Sequence, residues 1–441
     1  MAKIPQFIIA APTSNSGKTT ITLGLLRAME NRGLATQAFK VGPDYIDPKF
    51  HKVACGHVGV NLDLFMMSKE DIHHTYASFI ADKEAVCIEG VMGLFDGAKK
   101  SEGSTAALSK VLKLPVILVI DAKSVAYSVA PLLYGFKNFD PEIAIAGVIF
   151  NRVNTASHYQ FLKEACEDVG IPSFGYVPFI KSCEIPSRHL GLSIEDMEGY
   201  NPMIDTMATA IEKTVNIDLL LELCSQERPK TAIKIAEKSL KTLRIGIAKD
   251  AAFNFSYVQN IRAFKEIGDV VYFSPLEDTT LPDVDLLYFP GGYPEFYLEK
   301  IASNKSMRTA VKSFAVNGGR IIAECGGMMY LGSEIYDENG RSFEMCGVFS
   351  FKATMKKMKL ALGYRTIQLG ETVLKGHEFH YSMLLDNHKT PSIGKVFNAR
   401  EAQVPTKIYR TNNVWATYIH CYLGTLEGLK IVLKELDLKI T

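Results

Sequence analysis

The sequence predicts an α/β protein with two domains, each organised around a largely parallel sheet. Short apolar runs rich in valine and isoleucine alternate with helical patterns through the first half of the chain, which is typical of a doubly wound fold. A second series of apolar runs begins at residue 243, after a lysine-rich stretch. The length of 441 residues also exceeds what one hydrophobic core usually organises. We therefore predict a first domain at 1–225, a linker at 226–242 and a second domain at 243–441.

Continuous apolar runs predict the buried parallel strands of both domains. In the first domain these runs are residues 7–11, 85–88, 116–120 and 143–150, with helical patterns such as 19–31 and 157–169 between them. In the second domain they are residues 243–248, 270–273, 285–289 and 320–323. The sequence Asp-Glu-Asn-Gly at 337–340 predicts a hairpin turn, and the composition of 343–418 predicts antiparallel or mixed sheet.

Composition and charge exclude several classes of function. The formal net charge is only +1, so binding to nucleic acid has no electrostatic support. No apolar run reaches the roughly 18 residues that a membrane-spanning helix needs, and the N-terminus does not resemble a signal peptide. The eight cysteines contain no Cys-x-x-Cys pair, which argues against disulfides or zinc. We expect a cytoplasmic protein with small-molecule partners; a homodimer stays an open alternative to a monomer.

A phosphate-binding loop follows the first predicted strand, in the sequence Pro-Thr-Ser-Asn-Ser-Gly-Lys-Thr-Thr at 12–20. Such a loop needs small residues whose N–H groups wrap a phosphate, a lysine for the outer phosphates and a hydroxyl for Mg²⁺. Gly17, Lys18 and Thr19 meet these needs. The loop departs from the standard motif because Pro12 replaces its first glycine. The predicted nucleotide-binding residues are Ser14, Ser16, Gly17, Lys18, Thr19 and Thr20.

Two acidic segments are predicted to lie beside this loop. The sequence Lys-Val-Gly-Pro-Asp-Tyr-Ile-Asp-Pro carries Asp44 and Asp47, and Glu-Gly-Val-Met-Gly-Leu-Phe-Asp-Gly carries Glu89 and Asp96. Ligands of open parallel sheets bind at the carboxyl ends of strands, where these segments are predicted. Each segment alone is also consistent with ordinary turn chemistry, since aspartate and glycine are common in loops.

A second chemical signature lies in Ile-Ile-Ala-Glu-Cys-Gly-Gly, where an apolar run leads into Cys325. This pattern predicts a nucleophile on a sharp strand-to-helix turn. A thiol nucleophile needs a base, and His420, after an apolar run near the C-terminus, is the favoured candidate over His377 and His380. The backbone N–H groups of Gly292 and Gly326 are predicted to form the oxyanion hole.

Together these motifs resemble the cobyrinic acid a,c-diamide synthase family over essentially the whole chain. Pro-Gly-Gly at 290–292, Glu-Cys-Gly-Gly at 324–327 and Tyr-Ile-His at 418–420 resemble a class I glutamine amidotransferase domain. The N-terminal loop and the two acidic segments resemble an ATP-dependent domain akin to dethiobiotin synthetase. One departure is visible, because Tyr422 stands where classical triads place a glutamate. The third member of the triad is therefore unassigned.

The resemblance implies a glutamine-hydrolysing ligase that uses ATP and Mg²⁺. Cys325 would form a thioester with glutamine and release ammonia, with His420 as the base. A corrinoid carboxylate would attack the γ-phosphate of ATP, and ammonia passing between the domains would displace phosphate, once for each of two carboxylates. The implied metal ligands are Thr19, Asp44 and Glu89, while Asp47 and Asp96 would position substrate or metal.

Other interpretations stay open from the sequence alone. Hydrogenobyrinic acid or nickel sirohydrochlorin could replace cobyrinic acid as the substrate, because pocket shape rather than a short motif sets that choice. A regulatory P-loop ATPase with an inactive glutaminase-like domain is a second class, against which the presence of both Cys325 and His420 argues. A cysteine hydrolase with an accessory nucleotide site is a third class, and it leaves the acidic segments unexplained.

Overall fold

The computed structural model describes residues 3–184, 197–229, 243–356, 358–385 and 390–438. The chain divides into two compact units, Met1–Lys234 and Ile235–Thr441. The predicted linker begins inside the first unit, since Ser225–Glu227 forms a strand that pairs with the first strand of the chain. The rest of that linker, from residue 230 to residue 242, lies outside the described residues.

The first unit is a mainly parallel sheet between helices. Its strands are β1 (Lys3–Ala10), β2 (Thr36–Val41), β3 (Val60–Leu62), β4 (Ala85–Glu89), β5 (Val116–Asp121), β6 (Ile145–Asn151), β7 (Ser173–Val177) and β8 (Ser225–Glu227). Its α-helices are α1 (Lys18–Asn31), α2 (Asp47–Cys55), α3 (Lys69–Phe79), α4 (Thr105–Leu112), α5 (Val129–Asn138), α6 (Ala156–Val169), α7 (Asn201–Thr214) and α8 (Ile217–Leu223). The predicted doubly wound fold is confirmed.

The strand order of this sheet is β3-β2-β4-β1-β5-β6-β7, with β8 antiparallel to β1. The strands β1, β2 and β4 run parallel, so their carboxyl ends lie at the same edge. The phosphate-binding loop follows β1, the first acidic segment follows β2 and the second follows β4. Strand register therefore brings three segments that are far apart in sequence to one edge of the sheet.

The second unit contains a six-stranded sheet whose first strands are parallel. Its strands are β9 (Leu243–Ala248), β10 (Gly268–Phe273), β11 (Leu286–Phe289) and β12 (Arg320–Glu324), followed late in the chain by Ile408–Thr411 and Val414–Thr417. Its α-helices are α9 (Val258–Ile267), α10 (Leu298–Ser303), α11 (Lys305–Val316), α12 (Gly326–Leu331) and α13 (Leu426–Glu435).

The predicted hairpin and antiparallel region are also present. Strands β13 (Glu334–Tyr336) and β14 (Ser342–Glu344) pair antiparallel, and the Gly340 N–H donates to Asp337 O across the turn. They belong to a four-stranded sheet with β15 (Lys352–Thr354) and β18 (Met383–Leu385). The remaining strands are β16 (Ala361–Leu369), β17 (Thr372–His380), β19 (Lys395–Asn398), β20 (Gln403–Val404), β21 (Ile408–Thr411), β22 (Val414–Thr417) and β23 (Ile419–Cys421).

The chain changes sheets close to its C-terminal end. Strand β22 pairs parallel with β12 in the six-stranded sheet, and β23 pairs antiparallel with β17 in a five-stranded sheet. Only Tyr418 separates the two strands. The change of sheet directs the residues after Tyr418 toward β17, and His420 lies among them.

Replacement of Phe7 by alanine tests the core of the first unit. Phe7 is fully buried at the centre of the sheet, whereas Tyr134 on α5 is 63% exposed. We expect Phe7→Ala to lower the free energy of unfolding by about 3–5 kcal/mol and Tyr134→Ala to change it by less than about 0.5 kcal/mol. Chemical denaturation of the full chain measures both values. Equal effects of the two substitutions would contradict this packing.

Candidate active site

Gly17 shapes the phosphate-binding loop at the end of β1. Its backbone is left-handed, with φ at 93°, and the next residue begins α1. A Cβ at this position would lie 2.1 Å from Asn151 Nδ2, which donates a hydrogen bond of 3.0 Å to Ser16 O. Only glycine combines this conformation with so close a neighbour. The loop therefore leads directly into the N-terminus of α1, where backbone N–H groups favour the binding of an anion.

Lys18 connects the phosphate-binding loop to the segment that follows β4. Its Nζ donates to Thr13 O at 3.2 Å and to Met92 O at 2.6 Å. Within the loop, Ser16 Oγ donates to Thr13 O at 2.9 Å, so this hydroxyl stabilises the turn. The ammonium group is therefore held at the mouth of the loop by carbonyl oxygens, a position from which it can reach a phosphate.

Glu89 is the centre of a buried network of charged and polar groups. Its Oε1 accepts from Thr19 Oγ1 at 2.6 Å and from Lys40 Nζ at 3.0 Å, and its Oε2 lies 2.7 Å from His51 Nε2. Burial alone would raise the pKa of this carboxyl, but Lys40, His51 and Thr19 bring it well below its usual value. Glu89 is therefore ionised, and its charge faces the loop hydroxyl of Thr19.

The other predicted acids have distinct surroundings. Asp47 is fully buried at the start of α2, and its Oδ2 pairs with Lys40 Nζ at 2.7 Å. Asp44 Oδ1 accepts from the N–H groups of Ile46 and Asp47, so it caps the turn that precedes α2. Asp96 Oδ2 accepts from the Gly93 N–H at 2.9 Å. Asp44 and Asp96 therefore each stabilise a loop turn, whereas Asp47 is held in an ion pair.

A cavity of about 870 Å³ opens at this edge of the sheet. Of the predicted residues, Ser14, Gly17, Lys18, Thr19, Thr20, Asp44 and Glu89 line it. Ser16, Asp47 and Asp96 are not among the lining residues; their contacts support the loops behind the cavity wall. The structure therefore brings the phosphate-binding loop and the two acidic segments to one cavity.

Three further residues at this site are not predicted from the sequence. Lys40 and Asn151 line the cavity, and His51 contacts Glu89 from α2. A lone lysine or asparagine at a strand end carries no spacing signal, and a histidine inside a short helix is more often structural. The one available signal is that Lys40 opens the first acidic segment, where a buried cation would balance its acids.

Cys325 lies on a strained turn between β12 and α12. Its φ is 46° and its ψ is −108°, and its N–H donates to Thr417 O at 2.8 Å. Burial and the nearby Glu295 raise the pKa of the thiol, so the resting side chain is protonated. Its Sγ contacts Phe379 O at 3.8 Å. The predicted nucleophile elbow is present, and its thiol needs a base.

Two glycines approach each other beside Cys325. A Cβ at Gly326 would lie 3.2 Å from Gly292 N and 2.7 Å from Pro294 Cδ. A Cβ at Gly292 would lie 2.0 Å from Ala252 O, so neither position has room for a side chain. The two predicted oxyanion positions are therefore close neighbours, as an oxyanion hole would require.

His420 packs against the same glycine turn. A Cβ at Gly291 would lie 2.1 Å from His420 Cε1, so the imidazole lies directly on the residue before Gly292. Burial, together with the neighbouring His377 and His380, lowers the pKa of His420 to about 3. The ring is therefore neutral at physiological pH. The structure brings His420 to the turn that carries the predicted oxyanion donor.

The rival histidines differ from His420 in their contacts. His380 uses both ring nitrogens, with Nδ1 at 2.9 Å from Ser382 O and Nε2 at 3.0 Å from Glu378 Oε1. Its ring stacks on Tyr418 with a centroid distance of 3.7 Å. His377 lies directly opposite His420 in the β17–β23 pair. Both ring nitrogens of His380 are therefore engaged within its own segment, and His420 stays the predicted base.

The fold and the two sites define a class of enzyme. One unit has a phosphate-binding loop with buried acids, and the other has a cysteine on a strand-to-helix turn beside closely packed glycines and a neutral histidine. This combination is that of a glutamine-hydrolysing, ATP-dependent carbon–nitrogen ligase, in which one unit releases ammonia and the other activates its acceptor.

Comparisons with known proteins agree with this class. Residues 7–192 match the model of the CobQ/CobB/MinD/ParA nucleotide binding domain, and residues 244–426 match that of the CobB/CobQ-like glutamine amidotransferase domain. The chain is similar to the cobyrinate a,c-diamide synthase of Picrophilus torridus, with 39% identity over 95% of this chain and 96% of the relative. The corresponding protein of Salmonella typhimurium is 38% identical over 96% of both chains.

A more distant relative from Saccharolobus solfataricus carries the same name, with 34% identity over 97% of this chain and 99% of its own length. The chain belongs to the cobyrinate a,c-diamide synthase family. Helices that could cross a membrane are absent from the part of the chain that the structure describes.

Alanine at Gly291 tests the contact between the glycine turn and His420. The added methyl group would collide with the imidazole, so we expect glutamine hydrolysis to fall about 100-fold as the base moves. Gly135→Ala is the matched control, because no atom lies within 4 Å of a Cβ at that position. Glutamate release from glutamine measures both variants. Normal hydrolysis by Gly291→Ala would contradict the placement of His420.

Acid sensitivity tests the burial of neutral His420. Its folded pKa of about 3 lies below the ordinary value of 6.5, so its stabilising effect is complete above pH 6.5 and is lost as the pH falls toward 3. In His420→Asn this titration is absent. We expect the urea midpoint of the variant to fall less steeply than that of the wild type between pH 6.5 and pH 4. Parallel slopes would show that His420 is not buried in its neutral form.

Proposed function

We propose that this enzyme converts cobyrinic acid to its a,c-diamide, using ATP and ammonia released from glutamine. The observation that carries the proposal is the presence of both sites in one chain whose relatives of that name match along nearly its whole length. Cobyrinic acid is named by those relatives and comes to this chain by that similarity. We also propose that the enzyme acts in the cytoplasm. A homodimer stays an alternative to a monomer.

Cys325 and His420 are the proposed catalytic pair of the glutaminase site. His420, neutral at physiological pH, takes the thiol proton as Sγ attacks the side-chain amide carbon of glutamine. The negative charge that develops on the amide oxygen is stabilised by the N–H groups of Gly292 and Gly326. The imidazolium then gives its proton to the departing ammonia, and water hydrolyses the thioester to glutamate with His420 again as the base.

The nucleotide cavity is the proposed site of carboxylate activation. A substrate carboxylate oxygen attacks the γ-phosphorus of ATP, the bond to the β–γ bridging oxygen breaks, and ADP leaves. Lys18 and the loop N–H groups stabilise the charge on the transferring phosphoryl group. Ammonia attacks the resulting acyl phosphate, inorganic phosphate leaves, and an amide remains. Two carboxylates require two such cycles.

Thr19, Asp44 and Glu89 are the proposed ligands of Mg²⁺. The donor set fits the ion, because a hydroxyl and carboxylate oxygens are hard ligands and one or two carboxylates suffice when ATP phosphates supply the rest. Glu89 is ionised, its Oε1 lies 2.6 Å from Thr19 Oγ1, and both residues line the cavity. When bound, Mg²⁺ would neutralise charge on the phosphates. Lys40 and Asp47 would hold Glu89 and the Asp44 turn in place.

Two substitutions separate the two reactions. We expect Cys325→Ala to abolish amidation from glutamine but to retain amidation from added ammonium salt, because only ammonia release is lost. We expect Lys18→Ala to abolish amidation from either nitrogen source, because carboxylate activation is lost. Product mass, with cobyrinic acid, Mg-ATP and each nitrogen source, measures both variants.

The wild type run with hydrogenobyrinic acid and with nickel sirohydrochlorin gives the substrate control. Faster amidation of either compound than of cobyrinic acid would overturn the proposed substrate while leaving the chemistry intact. ATP hydrolysis with no amide formed from any of these acids would overturn the proposed function itself.

A further inference from the structure

Glu324 is a buried acid for which the proposed chemistry has no role. It is the last residue of β12, directly before Cys325, and its relative exposure is 1%. Burial of a carboxyl group costs free energy unless hydrogen bonds compensate. The contacts of its two oxygens therefore decide whether this desolvation cost is compensated.

Both carboxyl oxygens of Glu324 are hydrogen-bonded. Oε1 accepts from the backbone N–H of Cys421 at 3.0 Å, and Oε2 accepts from the Tyr288 hydroxyl at 2.8 Å. Cys421 is the residue directly after His420. One carboxyl oxygen of Glu324 therefore contacts a side chain of β11, and the other binds the main chain next to His420.

Asn260 on α9 forms hydrogen bonds with other peptide groups of the same main-chain segment. Its Nδ2 donates to Cys421 O at 2.9 Å, and its Oδ1 accepts from the Leu423 N–H at 2.8 Å. Asn260 is 1% exposed, so these hydrogen bonds are shielded from water. Together, Glu324 and Asn260 satisfy both the N–H and the C=O of Cys421.

The alternation of an antiparallel ladder explains why Cys421 needs these partners. The Tyr422 N–H donates to Lys375 O at 2.9 Å, which makes that pair a hydrogen-bonded one. In an antiparallel pair hydrogen-bonded positions alternate, so the polar groups of Cys421 point away from β17. On the side away from β17, strand β12 ends at Glu324. The Glu324 side chain accepts the hydrogen bond from the Cys421 N–H, in place of a backbone carbonyl of a longer β12.

We infer that Glu324 is the positioning residue of His420, acting through the backbone of Cys421. In classical triads an acid two residues after the histidine orients the ring, but Tyr422 occupies that position here. The Glu324 hydrogen bond instead fixes the strand segment that carries His420 at the point where the chain has just changed sheets. This inference rests on the proposed glutaminase activity and adds a residue to it.

The protonation of Glu324 suits a positioning role. Burial raises the pKa of this carboxyl to about 8, although the hydrogen bonds from Tyr288 and Cys421 favour its ionised form. Burial therefore opposes a negative charge on Glu324 beside the Cys325 thiol. A neutral amide of the same shape should therefore replace it, since an amide oxygen also accepts from the Cys421 N–H.

Glu324→Gln and Glu324→Met form a matched pair that tests the inference. Both side chains have nearly the length of glutamate, but only glutamine accepts a hydrogen bond from the Cys421 N–H. We expect kcat for glutamine hydrolysis to stay within about 3-fold of the wild type in Glu324→Gln and to fall about 100-fold in Glu324→Met, with KM for glutamine little changed in both. Amidation from ammonium salt should be equal in all three proteins.

Equal kcat values for the two variants would overturn the inference, and so would a loss in Glu324→Met that extends equally to ammonia-driven amidation. If Glu324→Met does not fold, Glu324→Leu provides the second test, because its side chain also offers no acceptor to the Cys421 N–H. A kcat in Glu324→Leu equal to that of Glu324→Gln would then overturn the inference. A wild-type protein that hydrolyses no glutamine would instead overturn the proposed function, and the inference with it.

Discussion

In both units the reactive groups lie on loops that leave parallel strands, and the register of those strands decides which loops meet. In the first unit β2 and β4 align so that Lys40 is paired with Glu89 in the sheet. In the second unit Glu324 is paired with Thr417, whose carbonyl accepts from the Cys325 N–H. A shift of one residue in either pair would move these side chains to the opposite face. Neither catalytic arrangement could survive such a shift.

The two sites handle burial in opposite ways. The nucleotide site buries formal charges and compensates them, with Lys40 placed between the carboxylates of Glu89 and Asp47. Such a network costs desolvation free energy, and removal of one partner leaves an uncompensated charge. At the glutaminase site Cys325 and His420 themselves are buried in neutral form, since burial raises the pKa of the thiol and lowers that of the imidazole. The first arrangement suits a charged phosphate ligand, and in the second the thiol and the imidazole are both neutral at rest.

Much of the fold followed from sequence patterns with direct physical causes. The run at 7–11 predicted β1 because a strand covered on both faces must be apolar throughout, and the turn at 337–340 predicted the β13–β14 hairpin. The elbow at Cys325 was also predictable, since two glycines after an apolar run mark a tight turn. In contrast, the Glu89–His51 pair and the Glu324–Cys421 hydrogen bond join residues distant in sequence. No local spacing encodes such pairs, because sheet register and the change of sheet after β22 create them.

In the proposed function, one chain transfers nitrogen from glutamine to carboxylates activated by ATP. The most direct measurement supplies the wild type with cobyrinic acid, Mg-ATP, glutamine labelled with ¹⁵N in its side-chain amide, and an equal concentration of unlabelled ammonium chloride at neutral pH. We predict a diamide product in which both new amides carry mostly ¹⁵N, because the proposed reaction takes its ammonia from glutamine and free ammonium is a poor nucleophile. A product whose amides carry mostly unlabelled nitrogen would contradict it.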